Sequence, residues 1–191
     1  MNLLNAVKVL NDKAAREKWY YYCDPTLAFP DSFHDPLLKT WRAKLAGRVM
    51  PRRSDMTARD LKDVLRNIVV FERVSQNPSR YRFRLIGTNL TSMAPRDYTG
   101  KMFEETLPQQ HIERWVQCYD LVLASDRPLR FIGRVHLEGK EYLDADNLYV
   151  PLANDNDEPT FAMALCRYTP RRGADDRSWE DQIASIPAAV S

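Results

Sequence analysis

The chain has 191 residues, 44% hydrophobic and 28% charged, which suits one domain with a buried core plus terminal elements. No run approaches the ~20 apolar residues that span a bilayer, and MNLLNAVKVLNDKAAREKWYYY has charges within its apolar pattern and no small-residue cleavage site, so no membrane span and a cytoplasmic location are expected. The net charge of +2 is unevenly spread: Lys39 to Arg73 holds ten Lys/Arg and four Asp/Glu, whereas Glu138 to Glu158 holds one Lys and seven Asp/Glu.

Residues 3 to 18 read as a helix, with Leu3, Val7, Leu10 and Ala14 as an apolar stripe. WYYYC (19–23) follows, and the prolines at 25 and 30 make 24–35 a connector. Asp35 as N-cap and Pro36 at the first position start a second helix, which Gly47 ends. After a loop around Pro51, Thr57 and Asp60 open a third, short helix with Leu61, Val64 and Leu65 as its apolar face. NIVVFERV (67–74) is a buried strand, Gln76 to Ser79 a turn, and RYRFRLI (80–86) the partner strand of a hairpin. Its alternation puts Tyr81, Phe83 and Leu85 on one face, with Arg82, Arg84 and Ile86 on the other. Gly87-Thr88 then stops the strand.

Short helical turns are expected over 88–93 and 101–105. The longest helix starts from Thr106 and Pro108, with Ile112, Trp115, Val116, Tyr119 and Val122 on one face, and closes at Asp126 and Pro128. Three strands complete the chain: 130–137, turning through Glu138-Gly139 into 140–152, then 160–168 after the polar turn NDNDEP. The tail holds a short helix begun by Ser178. Hairpins at both ends of the strand set predict an α+β fold with one antiparallel sheet and helices on one face.

This order, with MPRRSD (50–55), IVVFERV, YRFRLIGT (81–88), DYTGKMFEE (97–105) and NLYVPLAND (147–155), resembles that of bacterial stand-alone PAS-domain proteins. The resemblance covers roughly residues 37 to 168. It implies a five-stranded antiparallel sheet in the order 2-1-5-4-3, preceded by an N-terminal helix and connector (1–36) and followed by a partly flexible tail (169–191). It also implies that the space between sheet and helices can hold a ligand. Candidate lining residues are Phe83, Leu85, Met93, Met102, Trp115, Tyr119, Phe131, Met163 and Leu165. The same residues equally suit a filled core, because aromatic and Met side chains pack cores more often than cofactors.

Asp144 is a further cavity candidate. With a two-residue turn at Glu138-Gly139 it lies opposite Gly133, and it shares strand parity with Tyr142, Leu148 and Val150. An inward carboxylate is costly unless paired, so it would mark a site. Cys23, Cys118 and Cys166 are isolated and read as structural thiols. Residues 88–105 contain no cysteine, which argues against a flavin photosensor of the light-oxygen-voltage type, and no histidine is well placed for haem. No firm cofactor, metal or catalytic set emerges.

The expected function is a sensory or regulatory protein that is not an enzyme. It would bind a small molecule or a protein partner and act in trans, through that partner or a homodimer, with the Leu3/Val7/Leu10/Ala14 stripe as the contact surface. Two alternatives stand beside it. One is a small-molecule enzyme on a cone-like α+β fold using Asp144 or His136. The other is a nucleic-acid binder using residues 39–73, although no recognition motif is present there.

Overall fold

The computed structural model describes residues 2–92, 97–135, 139–171, 179–184 and 186. In chain order the elements are α1 (Leu3–Arg16), β1 (Tyr21–Asp24), α2 (Asp35–Ala43), β2 (Ile68–Gln76), β3 (Ser79–Ile86), α3 (Thr88–Thr91), α4 (Gln109–Ser125), β4 (Leu129–Arg134), β5 (Leu143–Ala153), β6 (Pro159–Pro170) and α5 (Trp179–Ala184). Among the described residues no helix is long and apolar enough to cross a membrane.

The strands form one antiparallel sheet in the order β1-β4-β5-β6-β2-β3. Five of them lie in the 2-1-5-4-3 order expected from the resemblance. The sixth is a correction: Tyr21–Asp24 pairs with β4, with Tyr21 opposite Gly133 and Asp24 opposite Arg130. Gly133 makes this pairing possible, since a Cβ there would lie 2.8 Å from the Tyr21 ring. The outer edge of the new strand is partly capped by α1, because the Asn11 amide donates to the Cys23 carbonyl (2.9 Å) and accepts from its N–H (2.8 Å). A paired edge of this kind resists adding a foreign strand.

Helices cover both faces of the sheet, not one. On the first face α1, α3 and α4 pack over Val69, Phe71, Tyr81, Phe83, Phe131 and Tyr149. On the second, α2 and the chain from Met50 to Val64 pack over Ile68, Val70, Leu148, Val150, Met163 and Leu165. Trp41 anchors α2 there by donating its indole N–H to the Pro151 carbonyl (2.8 Å). The third helix expected after Thr57 is absent. The Thr57–Asp60 box forms (2.6 Å), but the backbone tightens into turns, with Val64 bonding Leu61 and Asn67 bonding Val64 three residues back. A segment this short gains little from helix propagation, and three-residue spacing suits it.

The stripe Leu3, Val7, Leu10 and Ala14 packs within its own chain. Val7, Leu10 and Ala14 are buried and Leu3 is partly buried, against β1 and α4. It is not a free surface for a dimer or partner, which corrects that expectation. The reason is the added strand β1, which gives α1 an apolar seat.

The two oppositely charged segments partly neutralise each other. Arg52 holds Asp157 through two hydrogen bonds (2.8 and 2.6 Å), and Ser54 donates to Asp155 (3.1 Å). Within the basic segment Lys39 pairs with Asp35 and Lys44 with Asp60.

A buried charge cluster pins the connector to the second face. Arg130 binds Asp146 with a two-pronged contact (2.8 Å each), reaches Asp24 (3.2 Å) and donates to the Ala28 carbonyl. Beside it His34, 1% exposed, stacks on Phe29 and donates its Nε2 proton to the Asp146 carbonyl (2.9 Å). Burial lowers the His34 pKa, against the opposing pull of Asp146, with Arg130 and Arg167 adding to the lowering. The unfolded chain therefore takes up a proton near the ordinary histidine pKa that the native imidazole refuses. Stability should fall as pH drops from about 6.5 toward the lower native value, by at most ~1.4 kcal/mol per pH unit. Urea midpoints at neutral and mildly acid pH, compared with those of His34→Gln, check this. The variant should lose part of the acid sensitivity.

Candidate functional site

Between the first face of the sheet and α4 lies a cavity of about 180 Å³ that is partly open to solvent. Its walls are mostly aromatic and aliphatic. Trp115 and Tyr119 come from α4, Tyr21 from β1, Ile86 and Leu90 from the β3–α3 turn, and Ala145 and Tyr168 from β5 and β6. Trp115 stacks on Tyr119 (6.0 Å between centroids) and meets Tyr21 edge-on (5.4 Å), so the aromatic wall is rigid.

The floor is shaped by a break in the strand alternation. Phe71 pairs with Phe83, whereas Val70 pairs with Leu85, so Arg84 is an extra residue on β3. This bulge swaps the faces beyond it. Ile86 turns to the cavity, and Leu85 packs in the opposite core. Gly87 then lets the chain leave the sheet, since a Cβ there would lie 2.3 Å from the Arg66 carbonyl oxygen. Arg82 and Arg84 lie outside the core and pair with Glu72 (2.5 and 3.5 Å).

Polar groups reach the cavity from three sides. Arg114 on α4 is 7% exposed, lies over Trp115 (5.1 Å to the ring) and has no partner for its Nε. Arg134 at the end of β4 is held between the Tyr20 ring (5.1 Å) and the Trp179 ring (5.8 Å), the latter from α5. Asn147 and His111 complete the polar lining. The Tyr21 hydroxyl is buried beside the Cys118 thiol, and burial raises its pKa well above the usual value.

The family model for the PAS domain matches residues 32–166. The chain belongs to the PAS domain family. A solved structure of an RNA-binding light-oxygen-voltage receptor aligns at 10% identity with a TM-score of 0.45, over 87% of this chain and 43% of that one. The chain thus spans less than half of that receptor. No curated protein matches significantly. Membership in the PAS family assigns the chain a sensory or regulatory role at the level of the family.

Within this PAS domain the residues singled out from sequence are placed differently from one another. Trp115 and Tyr119 line the cavity. Phe83 and Phe131 pack behind its wall, Phe83 against Phe71 and Phe103, and Phe131 stacked on Tyr21 (5.0 Å). Met102 is half-buried beside the β3 edge, where it bridges to Arg82. The remaining described candidates are corrections. Leu85, Met163 and Leu165 point into the core on the other face, Leu85 because of the bulge and the two β6 residues because Ala162, Ala164 and Cys166 take the cavity-side parity. Met93 and His136 lie outside the described residues.

Asp144 also faces away from the cavity. It does share parity with Leu148 and Val150, as expected, but that parity is the second face. The β4–β5 register is one residue longer than a two-residue turn gives: Gly133 faces Ala145, and Asp144 faces Arg134. Asp144 instead binds Arg171 (3.2 Å), and the space at Gly133 is filled by Tyr21.

Sequence reasoning missed Arg114, Tyr21, Ile86 and Tyr168. Arg114 carries no local signal: it lies one helical turn before Cys118, and only the packing buries both. The three cysteines are buried and free, and burial pushes the Cys166 thiol up to about 12. Such thiols are poor nucleophiles.

Proposed function

We propose that this PAS protein is a small-molecule sensor whose ligand occupies the cavity under α4. The observation that supports the reading is the cavity itself. A partly open, aromatic-walled space persists between sheet and helix in a core that is otherwise closely packed, and such a space with a few converging polar groups is the usual form of a ligand site.

Occupancy would be reported through α1. This helix packs on both β1 and α4, which carry Tyr21 and Trp115, and Lys13 on α1 ties to Glu113 on α4 (2.5 Å). A ligand that fits one arrangement of these elements better shifts the population toward it by its differential affinity. A partner protein then reads α1 in trans. The basic segment offers less support for a nucleic-acid role, since several of its cations are already engaged by carboxylates.

Native mass spectrometry of the freshly purified protein, with an absorption spectrum of the same sample, tests the reading. A non-covalent adduct is expected on the wild type and not on Ala145→Leu, whose extra carbons fill the cavity. An adduct of equal occupancy on both proteins would place the ligand elsewhere. A bare mass for the wild type, together with no thermal stabilisation by any small-molecule pool, would leave a filled core and a protein-interaction role.

A further inference from the structure

We infer that the cavity is an anion site: it takes a small molecule of one ring bearing a single carboxylate or similar acidic group, with the Arg114 guanidinium as its counter-charge. This rests on the reading of the cavity as a ligand site.

Charge comes first. Among the described lining residues are two arginines and no Asp or Glu. Arg114 is 93% buried by its 7% exposure, and no carboxylate pairs with it among the described residues. A buried cation without a counter-ion is costly and is ordinarily paired. Here burial lowers the Arg114 pKa, and Tyr21, Cys118 and Tyr119, not an Asp or Glu, oppose that lowering.

Unmet hydrogen bonding points to the same place. Among the buried side-chain polar atoms of the described residues that lack a partner are two guanidinium nitrogens, Arg114 Nε and Arg134 Nε, and both belong to residues that line this one cavity. Each such group is destabilising in isolation. Both can only donate, so together they call for an acceptor. A planar carboxylate matches a guanidinium with two parallel, charge-assisted hydrogen bonds.

Size and shape set the rest. A cavity of about 180 Å³ is close to the ~150 Å³ space known to hold benzene. Trp115, Tyr119 and Tyr21 make the walls aromatic, which suits an apolar ring, and the Arg114 guanidinium lies over Trp115 (5.1 Å), which sets the acid end beside the aromatic end.

Isothermal titration of the full chain with phenylacetate and with its neutral isostere phenylacetamide, at a pH where the acid is ionised, tests the inference. The expected result is that phenylacetate binds at least about tenfold tighter than the amide, and that Arg114→Met loses this preference, with the acid weakened more than the amide. The ligand-free Arg114→Met protein should also melt no lower than the wild type, because it sheds an unpaired buried cation. Equal binding of acid and amide by the wild type overturns the anion assignment and leaves the cavity reading intact. Failure of both to bind overturns this ligand assignment, whereas the cavity reading stands or falls on the adduct and the thermal stabilisation described above. A lowered melting point with the acid preference retained makes Arg114 a packing residue and overturns its assignment. Should Arg114→Met not fold, the wild-type comparison decides alone.

Discussion

Replacing Arg130 with alanine should cost about 3–5 kcal/mol of stability, the range for removing one partner of a buried ionic cluster. For a chain of this size that corresponds to a fall of roughly 6–20 °C in the thermal midpoint. Arg130 is 7% exposed and Asp24 is 1% exposed, so alanine leaves the Asp24 carboxylate buried with no counter-charge and strips Asp146 of its two-pronged contact. It also frees the Ala28 carbonyl and the Phe29 ring over which the guanidinium lies (5.0 Å). Phe29 in turn stacks on His34, so the connector before α2 loses its attachment to the sheet. Lysine should recover only part of the loss, since one ammonium cannot make the fork to Asp146 and reach Asp24 as well. Pairing Arg130→Ala with Asp146→Ala should cost less than the sum of the single losses, because the two groups share one interaction. Denaturant melts of the four proteins measure this. A loss below about 1 kcal/mol for Arg130→Ala would mean that the cluster is solvated in practice and does not hold the connector.

The second large effect is expected at Gly87. An alanine Cβ there would stand 2.3 Å from the Arg66 oxygen and 2.5 Å from both the Arg66 carbon and the Leu65 oxygen. These are backbone atoms of the turn that leads into β2, so no side chain can swing aside. Gly87 also donates its N–H to the Ile68 carbonyl (2.8 Å) and accepts from Leu90 (2.9 Å), which closes the hairpin and starts α3. Relief therefore requires prising β3 from β2 or moving α3, and the loss should exceed the ~1–3 kcal/mol typical of an overpacked side chain. Ile86 and Leu90 flank Gly87 and line the cavity, so any folded fraction should also bind ligand weakly. Gly100→Ala is the control. Nothing lies within 4 Å of a Cβ there, and its φ of +84° costs only about 1–2 kcal/mol. Soluble yield and thermal midpoint of the two variants should separate clearly. Similar midpoints would show that the Leu65–Arg66 turn yields easily.

Much of this protein was set by local sequence alone. Period-two runs marked the strands, apolar spacing marked α1 and α4, and Gly87 marked the point where the chain leaves the sheet, because these signals depend on near neighbours only. The five-strand order was what the resemblance to PAS domains implied, and the sheet has it. What tertiary structure decided were the matters that local pattern leaves open. Alternation tells which residues of a strand share a face, but not which face is the cavity, and so Asp144, Met163 and Leu165 lie opposite to expectation. One extra residue at Arg84 is invisible to a period-two reading, yet it exchanges Leu85 and Ile86 between the two cores. The edge strand β1 exists because Tyr21 meets Gly133, a partner more than a hundred residues away. That same meeting buries α1 and closes one wall of the cavity. Arg114 likewise reads as a surface cation next to an apolar stripe. Only the packing of α4 on the sheet turns it inward, to the wall of the cavity.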